Sequence, residues 1–341
     1  MPALYITDQD LNIRLTSRHL EMFREDETKA QKLVRRIPLF EVNRVSLVGR
    51  PRVSMRVVTQ LMEADIPVHV VGRNGRLVGC FTPAREGDAS IRVAQYRASD
   101  SAWALAAARR LAEAKIVNSR RVLQKLASSY TPVVQTEEDL GEAITELERL
   151  SRAVLSAENL DSVRGQEGAA AALYFRKMAM FFPRDMPFLS RNRRPPRDPA
   201  NALLSWTYTL VLGEVKAAVT ANGLDPCIGV LHSIEYNRPA LALDLFETLR
   251  APLCDLFCLR LMKLRIFKPE DFEPDSETCG VRMKRHMMKT YFIEYEKRLE
   301  RSFKPAGSDR DTSFRQVIRE QVTDYLKALR EQRDLKPFLM P

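Results

Sequence analysis

The chain has 341 residues, of which 45% are hydrophobic and 29% are charged. This balance is typical of a folded globular protein and excludes a disordered one. Its apolar runs are far shorter than the roughly 20 residues that span a bilayer, and the opening residues MPALYITDQD lack the basic segment of a signal peptide. We therefore expect a cytoplasmic protein with no membrane partner, and at this length two domains.

The charge distribution favours a nucleic-acid partner. The formal net charge is +10, and basic residues cluster in RNRRPPR (191–197), KLRIFK (263–268) and RMKRHMMK (282–289). Solvated helix faces and loops would explain any one of these clusters. Three of them around one acidic segment make a polyanion such as DNA the leading partner class.

The cysteine pattern argues against a disulfide framework. There are five cysteines, an odd number with irregular spacing. Cys254 and Cys258 lie four residues apart and could begin a zinc site, but no CxxC pair completes it. We expect buried free thiols.

The first eighty or so residues predict strands. Leu11, Ile13 and Leu15 alternate with polar neighbours, as in a half-buried strand, and NRVSLVG (43–49) is another candidate. The stretch IPVHVVGRNGRLVGCF (66–81) predicts a hairpin, because Asn-Gly favours a tight turn between two apolar runs. Ser54 can cap a short helix between these strands.

From about residue 91 the pattern is helical almost to the end of the chain. Helix formers dominate 94–128, and periods near 3.6 continue through 139–155, 160–180 and 202–220. A basic loop with five prolines (182–201) interrupts them, and Gly223 is placed to end a helix. A charged amphipathic helix is predicted for 311–333. The fold class expected is α+β, with a mainly β N-terminal domain (1–85) and a larger all-helical C-terminal domain (86–341).

Acidic residues in apolar surroundings mark the candidate site. Glu167 shares a helix face with Ala170, Ala171 and Tyr174, because these positions follow i, i+3, i+4 and i+7 spacing. Asp244 and Glu247 lie in the leucine-rich run LALDLFETLRAPLCD (241–255), which follows Pro239 and His232. Buried carboxylates need a partner.

Two readings of these acids stay open. Two carboxylates and an imidazole that converge would suit Mn²⁺ or Mg²⁺, and a metal in a basic cleft serves phosphodiester chemistry. The alternative is a structural Glu–Arg pair, with Arg164 or Arg250 as the partner.

Four segments in order carry a resemblance to a known family: RGQEGAAAALYF (164–175), NALLSWTYTLVLGEV (201–215), GLDPCIGVLH (223–232) and LALDLFETLRAPLCD (241–255). The chain resembles the CRISPR-associated integrase of spacer acquisition, the Cas1 family, also described as a metal-dependent DNA endonuclease. Weaker matches cover 45–79. The ordered set is specific, whereas any one segment alone would be weak.

The resemblance implies a site and a reaction. The metal ligands and catalytic residues would be Glu167, His232 and Glu247, with Mn²⁺ or Mg²⁺ as cofactor and with Asp244 and Tyr174 in support. His232 could instead act as a general acid or base. One departure is Ala240, where family members often have a serine. The reaction would be attack of a DNA 3′-hydroxyl on a phosphodiester of the CRISPR repeat, which inserts a spacer for antiviral defence.

The resemblance also implies partners. These would be double-stranded and branched DNA, a second copy of the chain bound through the β-domain, and the Cas2 protein. Phosphate contacts are expected from a set of arginines: Arg164, Arg191, Arg193, Arg194, Arg197 and Arg250.

Two alternatives differ in class. One is a non-catalytic nucleic-acid-binding scaffold of the same fold, against which the intact Glu167, His232 and Glu247 count. The other is an unrelated metal hydrolase of small phosphoesters, which the basic composition and the lack of a GxxxxGK[ST] loop disfavour.

Overall fold

The protein is described by a computed structural model that covers residues 3–26, 28–83, 88–133, 139–192, 195–276 and 279–341. It divides into two compact units, Met1–Glu86 with Arg285–Glu296, and Gly87–Lys284 with Lys297–Pro341. No described helix is both long and apolar enough to cross a bilayer.

The first unit contains two four-stranded sheets. One has the order β1-β5-β7-β8, parallel except for the last pair, and the other has the order β4-β3-β2-β6, antiparallel except that β6 runs parallel to β2. A buried apolar core that includes Ile13, Leu20 and Val68 holds this unit together. The elements are β1 Ala3–Ile6, β2 Leu11–Thr16, β3 His19–Glu25, β4 Gln31–Pro38, β5 Arg44–Val48, β6 Arg52–Val53, α1 Met55–Glu63, β7 Val68–Val71 and β8 Leu77–Phe81.

Local sequence signals in this unit are confirmed. Strands β7 and β8 pair antiparallel, and Gly75 adopts φ +79° in the turn between them. A positive φ is the conformation for which glycine is suited. Ser54 caps α1, since its hydroxyl accepts a hydrogen bond from the Val57 N–H. The mainly β character predicted for the N-terminal part is therefore correct.

One segment lies in a different unit from the one that the sequence indicated. Residues 285–296 were predicted to belong to the helical domain, but they cluster with the strands. Tyr5 of β1 stacks on Phe292 with ring centroids 4.1 Å apart, and its hydroxyl donates to Glu296 over 2.8 Å. The local pattern is helical, and only these long-range contacts assign the segment.

The second unit is predominantly helical, as predicted. Its helices are α2 Ala89–Ala98, α3 Ala102–Ser129, α4 Leu140–Ala153, α5 Leu160–Met178, α6 Pro199–Ala221, α7 Ala240–Leu249, α8 Leu256–Lys263, α9 Met288–Glu300 (shared with the first unit) and α10 Phe314–Glu331. A π-helical turn, Arg250–Asp255, joins α7 to α8.

The prediction of an all-helical second domain is wrong at one place. Strands β9 Phe272–Asp275 and β10 Gly280–Met283 form an antiparallel hairpin. The Val281 N–H donates to the Pro196 carbonyl (2.8 Å), and β10 packs against α6. These contacts with a distant loop and helix fix strands that are too short to be evident from periodicity.

Helix α3 is the element around which the site is arranged. It runs for 28 residues, and its buried face is lined by small side chains such as Ala104, Ala107 and Ala108. Small residues let neighbouring helices approach closely, and α4, α5 and α7 all pack on α3. Glu167 on α5 and Glu247 on α7 are thereby brought to the same helix.

Two glycine-to-alanine substitutions should change stability in opposite directions. Gly223 ends α6 with φ +77°, so Gly223→Ala should cost about 1 kcal/mol through backbone strain, although a Cβ there meets only Ile91 at 3.4 Å. Gly165 is exposed inside α5 with no atom within 4 Å of an added Cβ. Gly165→Ala should stabilise by roughly 0.5–1 kcal/mol, because alanine favours a helix. Urea unfolding measures both, and changes of equal sign would contradict the assignment.

Candidate metal and nucleic-acid site

The three predicted ligands come from separate elements and meet in space. Glu167 lies in the middle of α5, His232 in the loop that joins α6 to α7, and Glu247 in the last turn of α7. His232 Nε2 is 3.9 Å from Glu247 Oε1. The side chains of Glu167 and His232 are 21% and 22% exposed, whereas that of Glu247 is 5% exposed. The site is thus open on one side and buried on the other.

Lys115 of α3 lies between the two glutamates and was not predicted from the sequence. Its ammonium nitrogen is 2.6 Å from Glu247 Oε2 and also forms an ion pair with Glu167 Oε1. A signal was available. Lys115 follows Leu111 by one helical turn, and Leu111 and Val122 on the same helix face are fully buried. A lysine on such a face is almost never left unpaired.

Asp244 fixes the position of His232. This carboxylate is fully buried and accepts N–H bonds from Val230 (2.6 Å), Leu231 (3.0 Å) and His232 (2.9 Å). The His232 ring nitrogen Nδ1 is 2.7 Å from the same carboxylate. With three N–H donors on its oxygens, Asp244 has no hydrogen to offer, so Nδ1 carries the proton. This contact orients the ring so that Nε2 faces Glu247, which is the orientation of a metal-binding imidazole.

Gly229 makes this arrangement possible. A Cβ at Gly229 would lie 2.5 Å from Asp244 Oδ2 and 2.8 Å from the Ala240 carbonyl carbon. No side chain fits there, so the loop backbone can approach the carboxylate closely. Helix α7 begins at Ala240, and its N-cap residue Pro239 makes no side-chain capping hydrogen bond.

Glu247 is shared by two cations. Arg250, one turn on, places Nη1 at 3.2 and 3.3 Å from the two oxygens of Glu247. Burial raises the pKa of Glu247, but the charges of Lys115 and Arg250 outweigh this effect and hold the pKa at about 2. The Glu–Arg pair offered as an alternative from the sequence is therefore present, and it coexists with the convergence of the three predicted ligands.

A third buried carboxylate, Asp255, lies next to the site. Asp255 accepts hydrogen bonds from the hydroxyls of Tyr174 (2.9 Å) and Tyr208. Arg250 lies 4.7 Å from the ring centroid of Tyr208 and so connects this group to Glu247. Tyr174, predicted to support the site, is 2% exposed and bonds to Asp255 in the core.

The arginines predicted to bind DNA are in different environments. Arg164 donates to the Leu231 carbonyl (2.8 Å), and Arg191 donates to Asn201 (2.7 Å) and Ser205 (2.9 Å). Arg250 faces inward, as described above, and Arg197 is exposed. Arg193 and Arg194 lie outside the described residues.

A cleft of about 310 Å³ opens beside Glu167 and His232. Two arginines contribute to its wall, Arg164 and Arg238, and the second of these was not predicted from the sequence. Arg238 is held by Glu235 at 2.5 Å and Ser233 at 3.1 Å. An open cleft with cations beside two carboxylates suits a phosphate-bearing ligand.

Glu167, His232 and Glu247 are chemically suited to hold a divalent cation. In this structure, however, the two carboxylates are positioned by their ion pairs with Lys115. Across the described ranges, no group of three or more His, Cys, Asp or Glu side chains is arranged to hold a metal ion. Two carboxylates and one imidazole are nonetheless the donors that Mn²⁺ accepts, and both carboxylates already contact one shared cation, Lys115.

Comparison with known proteins identifies the family. Residues 4–297 match the family described as CRISPR associated protein Cas1. The chain belongs to the Cas1 family. A CRISPR-associated endonuclease Cas1 from Thermus thermophilus is 33% identical over 293 residues, which cover 86% of this chain and 84% of that protein. The resemblance inferred from the four sequence segments is confirmed.

Solved structures share the fold of this Cas1-family chain. A casposase bound to integration product superimposes with a TM-score of 0.81 at 21% identity, over 100% of this chain and 94% of that one. A chain of a Cas6-RT-Cas1–Cas2 complex gives a TM-score of 0.77 at 24% identity and covers 98% of this chain. Only 35% of that longer chain is covered.

Asp244→Asn should destabilise the protein. Each Asp244 oxygen accepts two N–H groups, so an amide NH₂ at either position would face two donors. We expect a loss of about 1–3 kcal/mol, the penalty for buried unsatisfied donors. Denaturant unfolding measures the loss, with the exposed Asp309→Asn as control. Equal stability of the two variants would contradict the assigned role of Asp244.

Asp255 should give the protein a specific pH dependence. Burial raises the pKa of Asp255 to about 6, although the hydroxyl of Tyr208 and the charge of Arg250 lower it. The folded state therefore binds the proton more tightly than the unfolded state. The resulting stabilisation is complete below the unfolded-state pKa, near 4, and is lost as the pH rises through about 6.

Asp255→Asn should remove this dependence, because an amide does not titrate. Between pH 4 and pH 7 the wild type should lose on the order of 2 kcal/mol relative to the variant. Unfolding free energies of both proteins across this range measure the difference, and other titrating groups cancel. Parallel stability curves would contradict the raised pKa.

Proposed function

We propose that this protein is a metal-dependent DNA integrase and nuclease that joins a DNA 3′-hydroxyl end to a phosphodiester of a CRISPR repeat. One observation carries the proposal. Two carboxylates pair with one cation, and the His232 imidazole lies beside one of them at a cleft with two arginines, in a chain of the Cas1 family.

Glu167, His232 and Glu247 would hold Mn²⁺ or Mg²⁺. A bound divalent cation would neutralise a non-bridging phosphate oxygen and help to activate an oxygen nucleophile. The protein's own groups prepare the site for this role. Asp244 keeps Nε2 of His232 directed at the site, and Lys115 and Arg250 keep Glu247 ionised.

The arginines of the cleft would orient the phosphodiester. Arg164 and Arg238 are each anchored by another group of the protein, so their guanidinium groups are held at the cleft. Such groups bind phosphate without reading bases. Exposed Arg197 would extend this contact along the duplex. His232 could alternatively transfer a proton as a general acid or base, because Nε2 is free of the Asp244 bond.

The proposed partners follow from relatives. The Cas6-RT-Cas1–Cas2 complex supports Cas2 as a partner of this chain, and the casposase bound to integration product supports DNA as its substrate. A homodimer through the β-rich unit remains part of the proposal. The alternative is a non-catalytic scaffold of the same fold. The ion pairs of Lys115 with both glutamates would suit it, but the presence of every predicted ligand counts against it.

Strand transfer on a labelled branched DNA tests the function. With Mn²⁺ the wild type should join the strands, and EDTA should stop the reaction. His232→Ala should lower joining by about 100-fold or more, since the effect of removing a catalytic ligand or acid–base group is of this size. Band-shift assays should show that the variant still binds DNA.

The substitution at Glu247 must be chosen so that the variant still folds. Glu247→Ala would remove the buried carboxylate that pairs with both Lys115 and Arg250, and breaking a buried ion pair typically costs about 3–5 kcal/mol. Glu247→Gln preserves the shape and should be used beside it, with circular dichroism to confirm folding. The matched control is Glu142→Ala, the same change at an exposed carboxylate of α4. Joining that survives in the folded His232 and Glu247 variants would place the active site elsewhere, and no joining by the wild type would favour the scaffold.

A further inference from the structure

A buried ammonium group occupies the point on which the predicted metal ligands converge. We propose that Lys115 is a positioning residue that holds Glu167 and Glu247 together in the metal-free protein, and that a divalent cation binds by displacing it. The proposal rests on the metal dependence of the proposed function and adds a step that precedes it.

A positive charge is needed between Glu167 and Glu247 whether or not a metal ion is bound. Glu167 and Glu247 bond to the same nitrogen, Lys115 Nζ. Glu247 is 5% exposed, so water cannot screen the repulsion that two neighbouring carboxylates would otherwise feel. Arg250 pairs with Glu247 from the other side. Lys115 is therefore the group that joins the two helices α5 and α7 through their acidic side chains.

Lys115 and a divalent cation cannot share these oxygens. A metal ion held by both carboxylates would lie at the position between them, where the ammonium now lies. Two positive charges at contact distance repel strongly in a site with little water. Binding of the metal therefore requires that the ammonium leave.

Glu167, which pairs with Lys115, also lines the cleft described above. The cleft beside Glu167 has a volume of about 310 Å³ and is open to solvent. Lysine reaches its head group through four flexible methylene groups, so it can rotate without movement of α3. The backbone of α3 at this point is packed firmly, since Ala114 and Ile116 on either side are 2% and 1% exposed.

Metal affinity is the first measurement. Mn²⁺ binding to the full chain is followed by titration calorimetry and by the EPR signal of free Mn²⁺. Lys115→Met should bind Mn²⁺ about tenfold more tightly or better, because no cation has to be displaced. Lys115→Arg retains a competing charge and should stay within about threefold of the wild type. Equal or weaker binding by the methionine variant overturns the proposal.

Chemical labelling tests whether Mn²⁺ displaces the Lys115 side chain or only binds near it. Brief acetylation with acetic anhydride, read out by mass spectrometry, should leave Lys115 protected in EDTA and labelled in Mn²⁺. Exposed Lys216 of α6 serves as the internal reference and should label equally in both. Labelling of Lys115 that does not respond to bound Mn²⁺ overturns the displacement step.

Melting curves check that the variants are folded. In EDTA, Lys115→Met should melt below the wild type, since its two carboxylates lose their shared partner. Mn²⁺ should raise its melting temperature by more than it raises that of the wild type. If no protein binds Mn²⁺, including the methionine variant, the proposed metal dependence fails as well. If Mn²⁺ binds and Lys115 stays protected, only the present inference fails.

Discussion

The charge balance at Glu247 is the interaction on which the site depends. A carboxylate that is 5% exposed would be costly alone, and it is stable because Lys115 and Arg250 approach it from α3 and from the π-helical turn after α7. Each contact also links elements: Lys115 extends the pair to α5 through Glu167, and Arg250 extends it to Tyr208 of α6. The same ion pairs that stabilise the helical unit therefore hold the predicted ligands within reach of one cation.

A second buried acid, Asp244, fixes the orientation of His232. His232 lies in a loop with no helix or strand to hold it, yet its ring must keep one orientation. Asp244 binds the loop backbone through three N–H groups and the ring through a fourth, so one carboxylate fixes both. Gly229 permits the close approach because it has no Cβ. The position of His232 therefore depends on a glycine and an aspartate as well as on the histidine itself.

Helix α7, which carries Glu247, is also held by buried hydrogen bonds from α3 and α10. Asn118, one turn after Lys115 on α3, donates to the carbonyls of Thr248 (2.8 Å) and Phe338 (3.0 Å). Gln321 of α10 donates to the Leu245 carbonyl and accepts from the Thr248 hydroxyl. Every one of these groups is buried, so their hydrogen bonds define one register of α7 against α3. A rigid support of this kind is what a site that must bind a cation in fixed geometry requires.

Sequence alone predicted the elements whose signals are local. The Asn-Gly hairpin, the Ser54 cap and the glycine at the end of α6 each depend on a few neighbouring residues, and all three are confirmed. The hairpin β9–β10 was missed because its strands are four residues long and are held by Pro196 and α6. Residues 285–296 were assigned to the other unit for the same kind of reason, since Tyr5 contacts them from the far end of the chain.

By itself the sequence determined the family, the mainly β and then helical order, and three candidate ligands, because these are carried by residue types and spacing along one segment at a time. Only the tertiary structure decided which groups meet. Lys115 and Glu247 are far apart in sequence, and their contact depends on how α3 and α7 pack. It likewise showed that Arg250, predicted to contact DNA, faces Glu247, and that Tyr174 faces Asp255. The physical reason is that burial and charge pairing are properties of the packed core, and a sequence pattern specifies which face of a helix is buried but not which partner that face will meet.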